Sequence, residues 1–427
     1  MSEGKTQDLS RNDVTFIAHR VTELTSINLG GAQLVLPFLY TALSGPALIA
    51  AFLMPVYRAA VLASGTLAAP YMSKAGAKRS YLIVGMALIL AGLLVVVLMA
   101  NGQWGATMLA AIFLLSSMIM GIGKGVHSIA ENSIIAGLWE VSRRGSLMGS
   151  MQALTGIVSV ILALATLFSG SSSKTDPNMT LVWGAVAAAA ISLVLAILVR
   201  EGNAGPKPKT VERRQSAWTK AKSSYRKLTG ETWYRRMLVA RVLLVSVEYG
   251  TAFYAIHAAS KHGTTAGALA AFAVATALGT VTGGALARHV LRHSERLGLA
   301  IGGALGCLAA LGALAGEVSD FMNATWVYCG VFFVLTVAAV CTYTARDAYL
   351  MACAEEEDLE NGLALTKVVM DPVTIVFITV MGSLAEFQHP AVPIAAIGLM
   401  SLGGIFAVLA MPHSRHLRVP EIKSREG

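Results

Sequence analysis

"LVWGAVAAAAISLVLAILV", Leu181–Val199, contains no charged residue and stops at Arg200. About 20 such residues in a helix cross the ~30 Å hydrocarbon layer of a bilayer. The run is continuous rather than alternating, which marks a spanning helix and not a strand of a membrane barrel. The next stretch, "REGNAGPKPKTVERRQSAWTKAKSSYRKLTGETWYRR" from Arg200 to Arg236, is polar and strongly basic. One apolar span meeting one long basic connection sets the pattern for the whole chain.

Working outward in both directions, comparable runs predict twelve spans, near 20–43, 46–72, 80–100, 105–128, 146–168, 180–199, 236–258, 264–289, 297–316, 323–347, 362–385 and 390–411. Composition agrees: 55% of residues are hydrophobic and 13% charged, against about 25% charged in a soluble domain. The expectation is an all-α integral membrane protein of twelve transmembrane helices in two six-helix bundles, 1–199 and 236–427, joined by a basic linker at 200–235. The first apolar run follows the polar opening "MSEGKTQDLSRND" and reads as a retained span rather than a cleaved signal. Within the linker, Gly205–Pro208 reads as a flexible exit. Trp218–Tyr225 reads equally as a basic amphipathic helix on anionic headgroups or as a solvated segment.

The formal charge of +9 is unevenly placed. Lys74, Lys78 and Arg79, then Arg143 and Arg144, then the linker, then Arg288, Arg292 and Arg296 fall on one set of connections. Lys174 and Lys261 are the basic residues on the other set. The positive-inside rule makes the basic set cytoplasmic and places both termini inside, in a bacterial inner membrane. Charge is thus a matter of topology, and no nucleic-acid partner is expected. The partners implied are the lipid bilayer, a small-molecule substrate, and protons or another coupling ion, with the chain acting as a monomer. Cys307, Cys329, Cys341 and Cys353 lie in or beside apolar runs and read as buried free thiols; no metal site or cofactor is expected.

The two halves repeat weakly. "GTLA" (Gly65–Ala68) closes the second run before basic residues, and "GALA" (Gly284–Ala287) closes the eighth in the same way. The connection "EVSRRGSLMGSMQALTGIVSVI" lines up with "EDLENGLALTKVVMDPVTIVFI", setting Gly145 opposite Gly362. Parallel repeats about an axis along the membrane normal are a transporter architecture. On Gly65-Thr66-Leu67-Ala68, Gly76-Ala77-Lys78-Arg79 and "RRGSLMG" (Arg143–Gly149), the chain resembles the major facilitator superfamily over essentially its whole length. Ala69 stands where that family usually has an aspartate. The resemblance implies six plus six helices and transport by alternating access.

Charges inside the runs mark the candidate site, because a charge at the bilayer centre costs at least ~2.5–3.5 kcal/mol. Arg58 lies about 18 Å into its run and Asp371 about 14 Å into another from the opposite side, at similar depth. The resemblance sets these two spans facing each other across the halves, so Arg58 either pairs with Asp371, contacts substrate, or is neutralised locally. Lys367 precedes Asp371 by one turn, and Pro372 after it predicts a kinked or broken helix. Glu248, about 18 Å into the seventh run, is a proton-coupling candidate if buried without a cation, with Asp371 and Glu131 as alternatives. Tyr249 and Tyr254 are placed to hydrogen-bond a substrate. Lys124, His127 and Glu131 share one helix face by i, i+3, i+7 spacing, and Arg346 with Asp347 occupies a comparable place in the tenth run. Substrate contact, an inner gate and interfacial anchoring all fit these two clusters.

Basic residues at depth (Arg58, Lys124, Arg346, Lys367) favour an anionic or zwitterionic organic solute moved by a proton-coupled secondary transporter. Export of an amphipathic compound or drug is the alternative. Copper transport through Met118 and Met120 is weaker, since residues two apart on a helix do not face each other. A membrane enzyme built on His127 and Glu131, or a transport-inactive scaffold, is weaker still. The chain holds no P-loop and no HExxH sequence, so an ATP-driven engine is not expected.

Overall fold

Backbone groups in hydrocarbon must be hydrogen-bonded internally, and long apolar runs satisfy this as helices. A computed structural model describes residues 11–75, 78–100, 104–138, 141–169, 177–199, 229–262, 267–291, 293–319, 324–353 and 356–413. In chain order the helices are α1 (Arg11–Gly30), α2 (Val35–Ala42), α3 (Ala47–Ala75), α4 (Lys78–Ala100), α5 (Ala106–Leu138), α6 (Val141–Ser169) and α7 (Pro177–Leu198). They continue with α8 (Thr232–Tyr249), α9 (Thr251–His262), α10 (Ala268–Leu291), α11 (Glu295–Val318), α12 (Thr325–Cys353), α13 (Glu356–Phe387) and α14 (Ala391–Leu409). Among the described residues, ten stretches are long and apolar enough to cross a bilayer, α8 and α9 forming one of them. With α6, whose apolar part is Met151–Thr166, and the α1–α2 pair, the twelve-helix membrane fold is complete.

Three local expectations change. The first span, expected from residue 20, begins at Arg11, so nine residues ahead of the expected start are helical and His19, Arg20 and Glu23 sit well inside α1. Hydropathy averaging had trimmed a helix whose polar residues face other helices. The seventh span is divided at Gly250, where α8 ends and α9 begins. Pro372, expected to kink or break its span, does not end it: α13 runs through Pro372 without a break. Expectations about the linker, Lys174 and the termini fall on residues outside those described, as do the side chains of Arg143, Arg144 and Lys367.

The chain forms two compact units, one of Met1–Ala32 with Val56–Pro208 and one of Gln33–Pro55 with Lys209–Gly427. Small residues govern packing inside each, as expected where hydrophobicity cannot distinguish protein from lipid. In the first unit, a Cβ added at Gly85 would lie 2.7 Å from the Gly123 carbonyl oxygen, so α4 and α5 touch backbone to backbone. In the second, a Cβ at Gly279 would meet the Phe333 carbonyl at 2.7 Å, which brings α10 against α12. In that unit the Leu48 amide also donates to Glu386 Oε2 at 2.8 Å, so a carboxylate caps the start of α3. Large apolar side chains such as Val376, Leu399 and Phe406 are 62%, 71% and 64% exposed, a surface suited to lipid. The polar groups lie inside.

Candidate functional site

In the first unit, α1 contributes His19, Arg20 and Glu23, and α5 contributes Lys124, His127 and Glu131. Helical spacing puts Arg20 and Glu23 on adjoining turns, and their side chains form an ion pair. Glu23 also accepts from Lys124 Nζ at 2.6 Å, while Glu131 Oε1 is ion-paired with Arg20 Nε at 2.7 Å. Lys124 Nζ lies 3.9 Å from Glu131 Oε2. Two carboxylates and two cations thus alternate around a closed circuit. Glu23 and His127 are fully buried and Glu131 nearly so. Such a set tolerates burial only because each charge has a partner; removing one strands the others.

Two histidines extend the circuit. His19 Nε2 and His127 Nε2 are 3.0 Å apart, and His19 Nδ1 lies 2.9 Å from the Ser192 carbonyl oxygen on α7. The Ser192 hydroxyl donates to the His19 carbonyl at 3.0 Å. His127 Nδ1 faces Glu131 Oε2 at 3.6 Å and Glu23 Oε1 at 3.9 Å. From α3, Tyr57 interacts electrostatically with Arg20 and Glu23. The Glu23, His127 and Glu131 donor atoms cluster within 4.8 Å, close enough for a metal ion. Arg20 and Lys124 already neutralise both carboxylates, however, and a divalent ion would leave two surplus positive charges in a buried setting. The set reads as a salt-bridge circuit.

The second unit carries a counterpart on the corresponding helices, the first and fourth of its half. Glu248 on α8 pairs with the Arg346 guanidinium on α12, and Arg346 Nε donates to Asp347 Oδ1 at 2.8 Å. Glu248 therefore has a cation beside it, so the condition for its being a proton-coupling candidate, burial without a cation, is not met. Arg241, two turns before Glu248, lines the same recess with Thr342 and Arg346. Arg241 forms no ion pair among the described residues. The Tyr254 hydroxyl on α9 is buried without a hydrogen-bond partner among them. A further pairing joins His257 Nε2 to Glu317 Oε1 at 2.6 Å, with Lys261 Nζ 3.2 Å from Glu317 Oε2 and the Tyr328 hydroxyl 2.8 Å from His257 Nδ1.

Of the residues singled out in sequence, Lys124, His127 and Glu131 are brought together in one circuit, and Glu248 with Arg346 in another. Arg58 is half-buried on α3 and Asp371 half-buried on α13. Met118 and Met120 do not share a site, since Met118 is 41% exposed and Met120 fully buried. The four cysteines are free, but of the burial expected for all four, Cys341 alone shows it; Cys307, Cys329 and Cys353 are half-buried. Sequence reasoning missed His19, Arg20, Glu23 and Arg241. A helical wheel over residues 11–30 carried the signal for the first three.

A family model described as Major Facilitator Superfamily matches residues 23–371. The chain belongs to the Major Facilitator Superfamily. Among curated proteins, an uncharacterized protein of Mycobacterium tuberculosis and one of Mycobacterium bovis are each 25% identical over 401 residues, covering 90% of this chain and 74% of theirs. Among solved structures, a partially occluded inward-open xylose transporter XylE from E. coli is 14% identical, with TM-score 0.66 over 94% of this chain and 98% of that one. The nucleoside transporter NupG is 11% identical, with TM-score 0.68 over 93% and 99%. A POT family transporter solved with 5-aminolevulinic acid is 14% identical, with TM-score 0.65 over 93% and 94%. This superfamily member is a multi-pass membrane transporter and not an enzyme.

Proposed function

We propose that this transporter moves a small organic solute carrying a carboxylate or similar anionic group, anionic or zwitterionic overall, by alternating access coupled to protons. Arg241 carries the reading. A half-buried guanidinium in a recess beside Glu248, Thr342 and Arg346, with no ion pair among the described residues, suits a planar anion bound through two hydrogen bonds. Arg346 and Tyr249 extend the same region. Glu248 beside them suits the ammonium of a zwitterion once cargo engages Arg346.

Arg58, Lys124, Lys367 and Asp371 are included as cargo or gating residues. Glu131 and Asp371 are the proton-coupling carboxylates in this reading. A solved fold relative described as a D-xylose–proton symporter and one bound to 5-aminolevulinic acid are compatible with this reading. The loop asymmetry in Lys and Arg supports cytoplasmic termini in a bacterial inner membrane.

The test is a thermal-shift screen of the purified protein against carboxylates, amino acids and their esters, since ligand binding to the native state raises apparent stability. Hits are then followed by counterflow in proteoliposomes. The expected result is stabilisation by acids and loss of that effect on esterification. Stabilisation by esters equal to that by the parent acids would overturn the anionic assignment.

A further inference from the structure

We propose that the first unit holds a bound proton between His127 Nδ1 and the Glu131 carboxylate, with His19 setting the ring that receives it. Hydrogen-bond polarity fixes the tautomer of each ring. A backbone carbonyl only accepts, so the 2.9 Å contact of His19 Nδ1 with the Ser192 oxygen requires a proton on that nitrogen. The Ser192 hydroxyl spends its own hydrogen on the His19 carbonyl, which leaves its oxygen to accept from His19 as well. In neutral His19 the Nε2 atom then carries a lone pair. At 3.0 Å from it, His127 Nε2 must be the donor.

That assignment settles the other side of the His127 ring. With its proton on Nε2, neutral His127 presents a lone pair from Nδ1, a fully buried atom without a hydrogen-bond partner among the described residues. The lone pair faces carboxylate oxygens at 3.6 Å (Glu131) and 3.9 Å (Glu23). Lone pair against carboxylate is repulsive, and one added proton makes it attractive. The proton comes from water and resides on the nitrogen or on the facing carboxyl oxygen; no other bond forms or breaks. His19 is a positioning residue.

The charged and titratable groups around this point come from several helices: His19, Arg20 and Glu23 from α1, Tyr57 from α3, and Lys124 and Glu131 from α5 itself. The ionisable residues of α4 are Lys78, Arg79 and Tyr81 at its start, and neither Met151–Thr166 of α6 nor Met179–Leu198 of α7 has any. Arg20 and Lys124 balance Glu23 and Glu131. The circuit is neutral without the proton and carries one positive charge with it. An anionic cargo restores neutrality, so proton and anion bind better together than apart. That last step rests on the proposed function, whereas the proton site itself does not.

The experiment uses the full chain in lipid bilayers with nitrogen-15-labelled histidine, read by solid-state NMR between about pH 5 and pH 9, where imidazoles titrate. His127→Gln and His19→Asn assign the two rings among the nine histidines. The expected result is a His127 Nδ1 that is proton-bound at the acid end and bare at the alkaline end, while Nε2 stays protonated throughout. Glu131→Gln should move that midpoint by a unit or more, a tenfold change in proton affinity. A neutral His127 with its proton on Nδ1 at every pH would overturn the proposal. Should His127→Gln fail to fold, the wild-type pH series with Glu131→Gln still decides. Normal NMR titration in a protein that accumulates nothing under a pH gradient would refute coupled transport and leave the proton site standing.

Discussion

Lys124 Nζ on α5 lies 2.6 Å from Glu23 Oε1 on α1, a charge-assisted bond between residues 101 positions apart. It closes a circuit in which Arg20 bridges Glu23 and Glu131. The second unit places Glu248 and Arg346 on the corresponding helices of its half. A carboxylate on the first helix of each half and a cation on the fourth is therefore a repeated device.

Glu23→Gln should be the most damaging neutral substitution in the first unit. It leaves Arg20 and Lys124 to share Glu131, and breaking a buried pair on one side costs ~3–5 kcal/mol. Adding Lys124→Met should recover much of that loss, because fewer charges are then unpaired. The check is a double-mutant cycle on Tm, where additive losses would show that the two residues are not coupled.

Glu248→Gln should be milder. Arg346 keeps Asp347 at 2.8 Å, and the Asp347 side chain is 42% exposed, so the guanidinium retains a partner and access to water. Tm should fall less than for Glu23→Gln, and proton-driven accumulation should persist with weakened cargo binding. His127→Asn should show the reverse: cargo exchange retained and accumulation lost. Parallel uptake and counterflow assays in proteoliposomes separate the two. Accumulation lost only in Glu248→Gln would move coupling to the second unit.

Arg241→Gln should weaken binding of a carboxylate cargo about tenfold or more, as expected for losing a hydrogen bond to a charged group worth ~1.5–3 kcal/mol. Tm without cargo should change little, because Arg241 has no ion pair to lose among the described residues. Calorimetric titration with the best acid from the thermal-shift screen measures it.

Gly123→Val should destabilise the first unit by ~1–3 kcal/mol, the usual cost of overpacking. An added Cβ would lie 2.6 Å from the Gly85 carbonyl oxygen and 2.9 Å from the Ile89 nitrogen, both backbone atoms that cannot swing aside. Gly330→Val, where a Cβ meets nothing within 4 Å, is the control and should leave Tm nearly unchanged.

The topology is checked by single cysteines in a cysteine-free background. Lys261→Cys should react with an impermeant maleimide on intact cells and Lys207→Cys only after permeabilisation. External labelling at 207 would invert the arrangement.

Sequence alone determined the helical membrane class and the shared face of Lys124, His127 and Glu131, because hydrocarbon thickness and helical period act on neighbouring residues and leave a local record. The same averaging obscured the start of α1: the expected run opens at Arg20, whereas the helix opens at Arg11, because His19, Arg20 and Glu23 lower the hydropathy there. Tertiary structure alone decided which charges meet. Helix packing sets the partners of Glu23 and Glu248, since a carboxylate in an apolar run records that a partner is needed and not which helix supplies it. For the same reason sequence left open whether Glu248 has a cation beside it, and α12 supplies Arg346.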